Sequence, residues 1–109
     1  MSRFEELVGD ALDSLPEQLA ARMDNVVVVV EESHPGEHLL GLYEGVPLTE
    51  REFYGAMELP DTVTLFRDPI CAISATESEV VEQVRITVVH EVAHHFGIDD
   101  DRLDELGWA

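Results

Sequence analysis

The chain has 109 residues, with 24 acids against six arginines and no lysine, for a net charge of −18. Such a surface repels phosphate backbones and anionic lipids, so it argues against nucleic acid or a membrane surface as partner and for basic ones. The length suits one hydrophobic core, so residues 1–109 are expected to form one domain, and no apolar run is long enough to span a bilayer.

The opening residues Met1-Ser2-Arg3-Phe4-Glu5-Glu6-Leu7 place acids where an export signal needs a basic start. Cys71 has no second cysteine to pair with, and both features point to the cytoplasm. Between Ile70 and Ala72, Cys71 is expected to be a small buried hydrophobe.

Taken in order, residues 3–13 space Phe4, Leu7, Val8, Ala11 and Leu12 as the inward stripe of a helix, with Ser2 and Glu5 at capping-box spacing. Ser14-Leu15-Pro16-Glu17 repeats that signal, and Leu19, Ala20 and Met23 extend the buried stripe, as one kinked helix or two short ones. Val26 to Val30 are consecutive valines, which predicts a central strand buried on both faces. His34 and His38 stand four residues apart, but Pro35-Gly36 between them forbids a helix, so a solvated turn is expected. Leu39 to Tyr43 reads as a second strand. A polar loop with Gly45 and Pro47 follows, and Thr49-Glu50-Arg51-Glu52 caps a short helical turn limited by Gly55 and Pro60. Residues 62–66 alternate as a third strand, and residues 69–74 read as a connecting loop.

Thr76 and Glu79 form a further capping box and open a long helix. Val81, Val84, Val88 and Val92 make its buried stripe, while Gln83, Thr87, His90 and His94 are expected to line an open, wet cleft. On that helix His90-Glu91-Val92-Ala93-His94 spells H-E-x-x-H. Four residues advance a helix by one turn and about 40°, so both imidazoles can reach one ion, and neutral imidazole is a favoured zinc ligand. Glu91, one step round, can take a proton from metal-bound water. Gly97 supplies a left-handed turn, and the residue three further on, Asp100, can swing back as third ligand. Asp99 and Asp101 flank it, and a different turn could present either, although spacing favours Asp100. His95, about 100° round the helix from His94, reads as a neighbour of the site rather than a ligand unless local rearrangement lets it compete. Beyond the motif, Asp99 to Glu105 begins a short acidic helix with Leu103 and Leu106 inwards.

The whole string H-E-x-x-H-x-x-G-x-x-D, with Val80-Val81-Glu82-Gln83-Val84-Arg85-Ile86-Thr87 before it and Asp99-Asp100-Asp101-Arg102-Leu103-Asp104-Glu105-Leu106-Gly107-Trp108 after it, resembles the small bacterial zincin-like metallopeptidases. The likeness extends more weakly to Thr64-Leu65-Phe66-Arg67. It implies an α+β fold, a minimal zincin-like arrangement with a small mixed sheet packed on N-terminal helices and a long active-site helix. It also implies a Zn2+ site of His90, His94 and Asp100, with Glu91 as catalytic base. The strand near residues 62–66 would be the sheet edge beside that helix, where a peptide substrate adds as a further strand. The methionine turn of true metzincins is missing, because Met1, Met23 and Met57 all precede the motif. Trp108 is either a core plug or a support packed beneath the metal ligands. Tyr43, Tyr54 and Arg67 are the candidates for stabilising an oxyanion.

The expected activity is zinc-dependent hydrolysis of a peptide or protein substrate. The alternative is a zincin-fold, metal-binding interaction module with little or no peptidase activity, since the chain is small and lacks a second subdomain for the far wall of the cleft. A homodimer could supply that wall. A nuclease on a related fold is disfavoured by the acidic surface.

Overall fold

The computed structural model describes residues 2–46 and 59–108. Among them, five α-helices surround a three-stranded mixed sheet, the α+β arrangement expected. Helix α1 spans Ser2–Asp13, and its stripe of Phe4, Leu7, Val8 and Ala11 is buried. The next segment is separate: α2, Glu17–Ala20, runs into a single 3-10 turn at Ala21–Met23. Pro16 occupies the cap position, while the Ser14 hydroxyl donates back to the Ala11 carbonyl at 2.7 Å and so does not cap α2. Leu19 is fully buried and Ala20 is exposed, so the inward stripe narrows here.

Strand β1, Val26–Glu31, pairs in parallel with β3, Asp61–Phe66, in the register Val26↔Asp61 to Glu31↔Phe66. Strand β2, Gly41–Glu44, pairs antiparallel on the other side of β3, giving the order β1-β3-β2. This reverses the roles expected of the two longer strands. The valine run is not the central strand, for Val27 and Val29 remain 43% and 38% exposed. β-branching favours extended backbone but says nothing about how many neighbours a strand acquires. The central strand is β3, where Val63, Thr64, Leu65 and Phe66 are all buried, so both faces are covered despite the alternating sequence.

Residues 69–74 do not form a plain loop. Arg67–Ala72 is a helix, α3, which tolerates Pro69 because the first turn of a helix has no use for its N–H. Ile70 is fully buried while Cys71, about 100° further round, is exposed, so the expectation of a buried cysteine fails with the loop.

Helix α4, Glu77–His95, is the longest element. The Thr76 side chain accepts the Glu79 N–H at 3.1 Å, as the capping box requires. Val84, Val88, Val89 and Val92 are fully buried against α1 and the sheet, and they form one cluster with Leu65, Ile70 and Leu103. Helix α5, Asp100–Leu106, closes the described chain, with Leu103 buried. No described helix is long and apolar enough to cross a membrane. The capping turn at Thr49-Glu50-Arg51-Glu52, the Ser2 side chain and Tyr54 lie outside the described residues.

Candidate active site

The last two turns of α4 carry His90, Glu91 and His94. The imidazole centroids of His90 and His94 are 5.6 Å apart, as stacking one above the other on a helix face dictates. Gly97, with φ at 78°, ends the run. Its N–H donates to the His94 carbonyl at 3.0 Å and the Ile98 N–H donates to the Ala93 carbonyl at 2.8 Å, which reverses the chain.

The reversal sorts the three adjacent acids. Asp99 becomes the N-cap of α5, its carboxylate accepting the Arg102 N–H at 2.9 Å. Asp100 turns back to α4 and places Oδ1 3.1 Å from His94 Nε2. Asp101 is exposed. The His94 and Asp100 side chains are 50% and 74% exposed, so their contact adds little to stability and the site is open to solvent.

Glu91 faces the sheet. Its Oε1 accepts the main-chain N–H of Tyr43 at 3.1 Å. The Phe66 N–H donates to the Leu40 carbonyl at 2.9 Å, so alternation along an antiparallel pair turns the main-chain groups of Gly41 and Tyr43 away from β3. The strand edge beside the motif helix is therefore β2, not the strand at residues 62–66, which is central. Gly41 is needed for this approach, because a Cβ there would stand 2.5 Å from Thr87 Cγ2 and 3.1 Å from the Thr64 carbonyl oxygen.

That close packing changes the expected cleft. Thr87 is only 7% exposed, and its hydroxyl donates to the Gln83 carbonyl at 2.7 Å instead of facing an open, wet groove. What remains is a hollow of about 230 Å³ lined by His38, Leu39, Leu40, Ile86, Thr87 and His90, with Glu91 at its side. The Tyr43 N–H is a part of this site that the sequence reading missed, and His38, read as belonging to a solvated turn, borders the hollow. No signal marked the N–H, since any residue supplies one.

The other candidates lie elsewhere. The Tyr43 hydroxyl donates to Asp61 Oδ2 at 2.8 Å, and Arg67 pairs with Asp68 at 2.8 Å. The Trp108 carbonyl lies 3.4 Å from Arg85, more than a turn before His90, and its ring packs against the core cluster. That arrangement fits a core plug.

The donor set suits zinc. Two ligands on a tetrahedral zinc, each about 2.0–2.1 Å from the ion, stand about 3.3 Å apart, close to the 3.1 Å between His94 and Asp100. Two imidazoles on one such ion place their centroids about 5 Å apart, near the 5.6 Å of His90 and His94. Among the described residues, however, no three His, Cys, Asp or Glu side chains are gathered as one group able to hold an ion.

A helix-borne H-E-x-x-H, closed by a glycine turn and set beside the antiparallel edge of a small mixed sheet, defines a zincin-type arrangement. The chain belongs to the zincin-like metallopeptidase family, whose model matches residues 23–108. Its fold is similar to that of a conserved hypothetical protein from Thermo thermophilus, with a TM-score of 0.54 over 86% of this chain and 91% of that one, at 21% identity. No curated protein sequence matches the chain significantly.

Proposed function

We propose that the chain is a zinc-dependent peptidase in which His90, His94 and Asp100 hold the metal and Glu91 is the general base. The observation that carries this reading is the 3.1 Å approach of Asp100 to His94 across the Gly97 reversal, with Glu91 on the same turn of helix. When bound, zinc would polarise the scissile carbonyl and bring the pKa of water to about 7. Glu91 would accept the proton of the water that adds to the carbonyl and pass it to the amine released as the C–N bond breaks. The Tyr43 N–H on Oε1 holds the carboxylate in one orientation and leaves the second oxygen to accept the proton. A peptide adding along β2 would meet the outward main-chain groups of Gly41.

Substrates on this reading are peptides or proteins, with basic ones favoured by the net charge of −18. A homodimer would provide the second wall of the cleft, and the cytoplasm is the compartment of action. Metal analysis of protein purified without added zinc, beside an Asp100→Ala variant, tests the site. About one zinc per chain, lost in the variant, supports three-ligand binding. A site that micromolar zinc cannot fill would refute it. The second reading, an interaction module with little peptidase activity, is favoured by the lack of a three-residue metal group among the described residues. A zinc-loaded protein that leaves a peptide library uncut would select it.

A further inference from the structure

The end of α4 carries a histidine for which the zinc site has no use. The imidazole of His95 lies flat on the ring of Tyr43, with centroids 3.9 Å apart and planes 17° from parallel. Beyond the stack, Asp61 at the start of β3 accepts the Tyr43 hydroxyl at 2.8 Å and the Val46 N–H at 2.9 Å, and lies 3.8 Å from His95 Nε2. The loop after β2 is shaped around the same ring, since a Cβ on Gly45 would stand 3.3 Å from His95 Cε1. Tyr43 thus uses its side chain to grip the end of α4 and its main-chain N–H to hold Glu91. His95 faces Asp61 rather than the pair formed by His94 and Asp100.

From this we infer that His95 is a positioning residue: its stack on Tyr43 fixes β2 against α4 so that the Tyr43 N–H orients Glu91. The inference rests on Glu91 as the general base for its catalytic meaning, but the clamp itself is independent of activity. A ring of the right shape suffices for stacking, so the imidazole nitrogens are dispensable and phenylalanine should replace histidine.

Amide hydrogen exchange on metal-free protein tests this in the wild type, His95→Ala and His95→Phe. The alanine variant should exchange the Tyr43 amide at least about tenfold faster, while the Val88 and Val92 amides keep their protection and so report an intact fold. The phenylalanine variant should restore the slow Tyr43 rate. With zinc and a fluorogenic peptide that the wild type cleaves, His95→Ala should lower kcat about ten- to a hundredfold at little change in KM and unchanged zinc content, with rescue by His95→Phe. An unchanged Tyr43 rate in His95→Ala, loss of zinc from that variant, or a phenylalanine variant as impaired as the alanine one would each overturn the assignment. If the wild type cleaves no peptide, the peptidase reading fails while the exchange rates still decide the clamp.

Discussion

His34 and His38 stand four residues apart, as do His90 and His94, yet the two pairs do opposite things. In the turn, His34 Nδ1 accepts the N–H groups of Gly36 and Glu37 at 3.1 and 3.0 Å, so the ring is spent on holding its own loop. His38 is exposed and lines the hollow beside Glu91. On α4 the main-chain groups are satisfied by the helix, so the His90 and His94 rings are left free for outside chemistry, and Asp100 arrives at one of them. Spacing alone does not make a metal pair. Rings that the backbone does not engage remain available for one.

The sharpest break between the two pairs is chemical. Glu91→Gln should keep zinc near one per chain and lower peptide hydrolysis by at least about a hundredfold, the usual worth of a general base. Hydrolysis retained in that variant removes Glu91 from the mechanism. Metal analysis should then separate the pairs: Asp100→Ala loses most of its zinc, whereas a His34→Ala, His38→Ala double variant keeps it. Zinc lost from the double variant would move the site to the turn.

Smaller effects read the backbone on each side. Gly97→Ala, forced to φ near 78°, should cost about 1–2 kcal/mol in urea unfolding and loosen Asp100 from His94. Removing the turn acceptor in His34→Ala, or the α5 cap in Asp99→Ala, should cost about 1 kcal/mol each, with zinc binding kept in both. Equal zinc loss in Asp99→Ala and Asp100→Ala would show that the two acids are not sorted as their hydrogen bonds indicate.

The smallest effect lies at the far end of α4. There the Arg3 guanidinium, hydrogen-bonded to Glu77 at 2.9 Å, holds that carboxyl below the usual carboxylate range. A depressed folded-state value contributes stability that is fully present above the unfolded carboxylate pKa. That contribution fades as pH falls through the folded value. Both groups are exposed, so a Glu77→Gln variant should lose only a slight, salt-sensitive part of the acid limb of the stability curve.

Much of the site was legible in the sequence because it is local. The Thr76 cap, the stacking of His90 over His94, the left-handed Gly97 and the return of Asp100 all follow from helix geometry within a few residues. The strands were legible as strands, from β-branching and turn residues, but their neighbours were not. Val26 to Val30 suggested the centre of the sheet, although valine content reports propensity rather than position, and the edge reading of residues 62–66 came only from the family resemblance. The exposed Cys71 and the buried Thr87 were misjudged for a related reason. Each depends on which element packs over it: an unforeseen helix turned Cys71 outwards, and the approach of Gly41 covered Thr87.

By itself, then, the sequence determined the family, the motif helix and the set of residues at its end, since each is written in spacings of three to four positions. The tertiary structure alone decided that β2 is the strand edge beside Glu91, that the Tyr43 N–H meets that carboxylate, and that His95 closes on Tyr43. Those contacts join residues about fifty positions apart, through main-chain groups and ring faces that carry no pattern along the chain. Only packing brings them together.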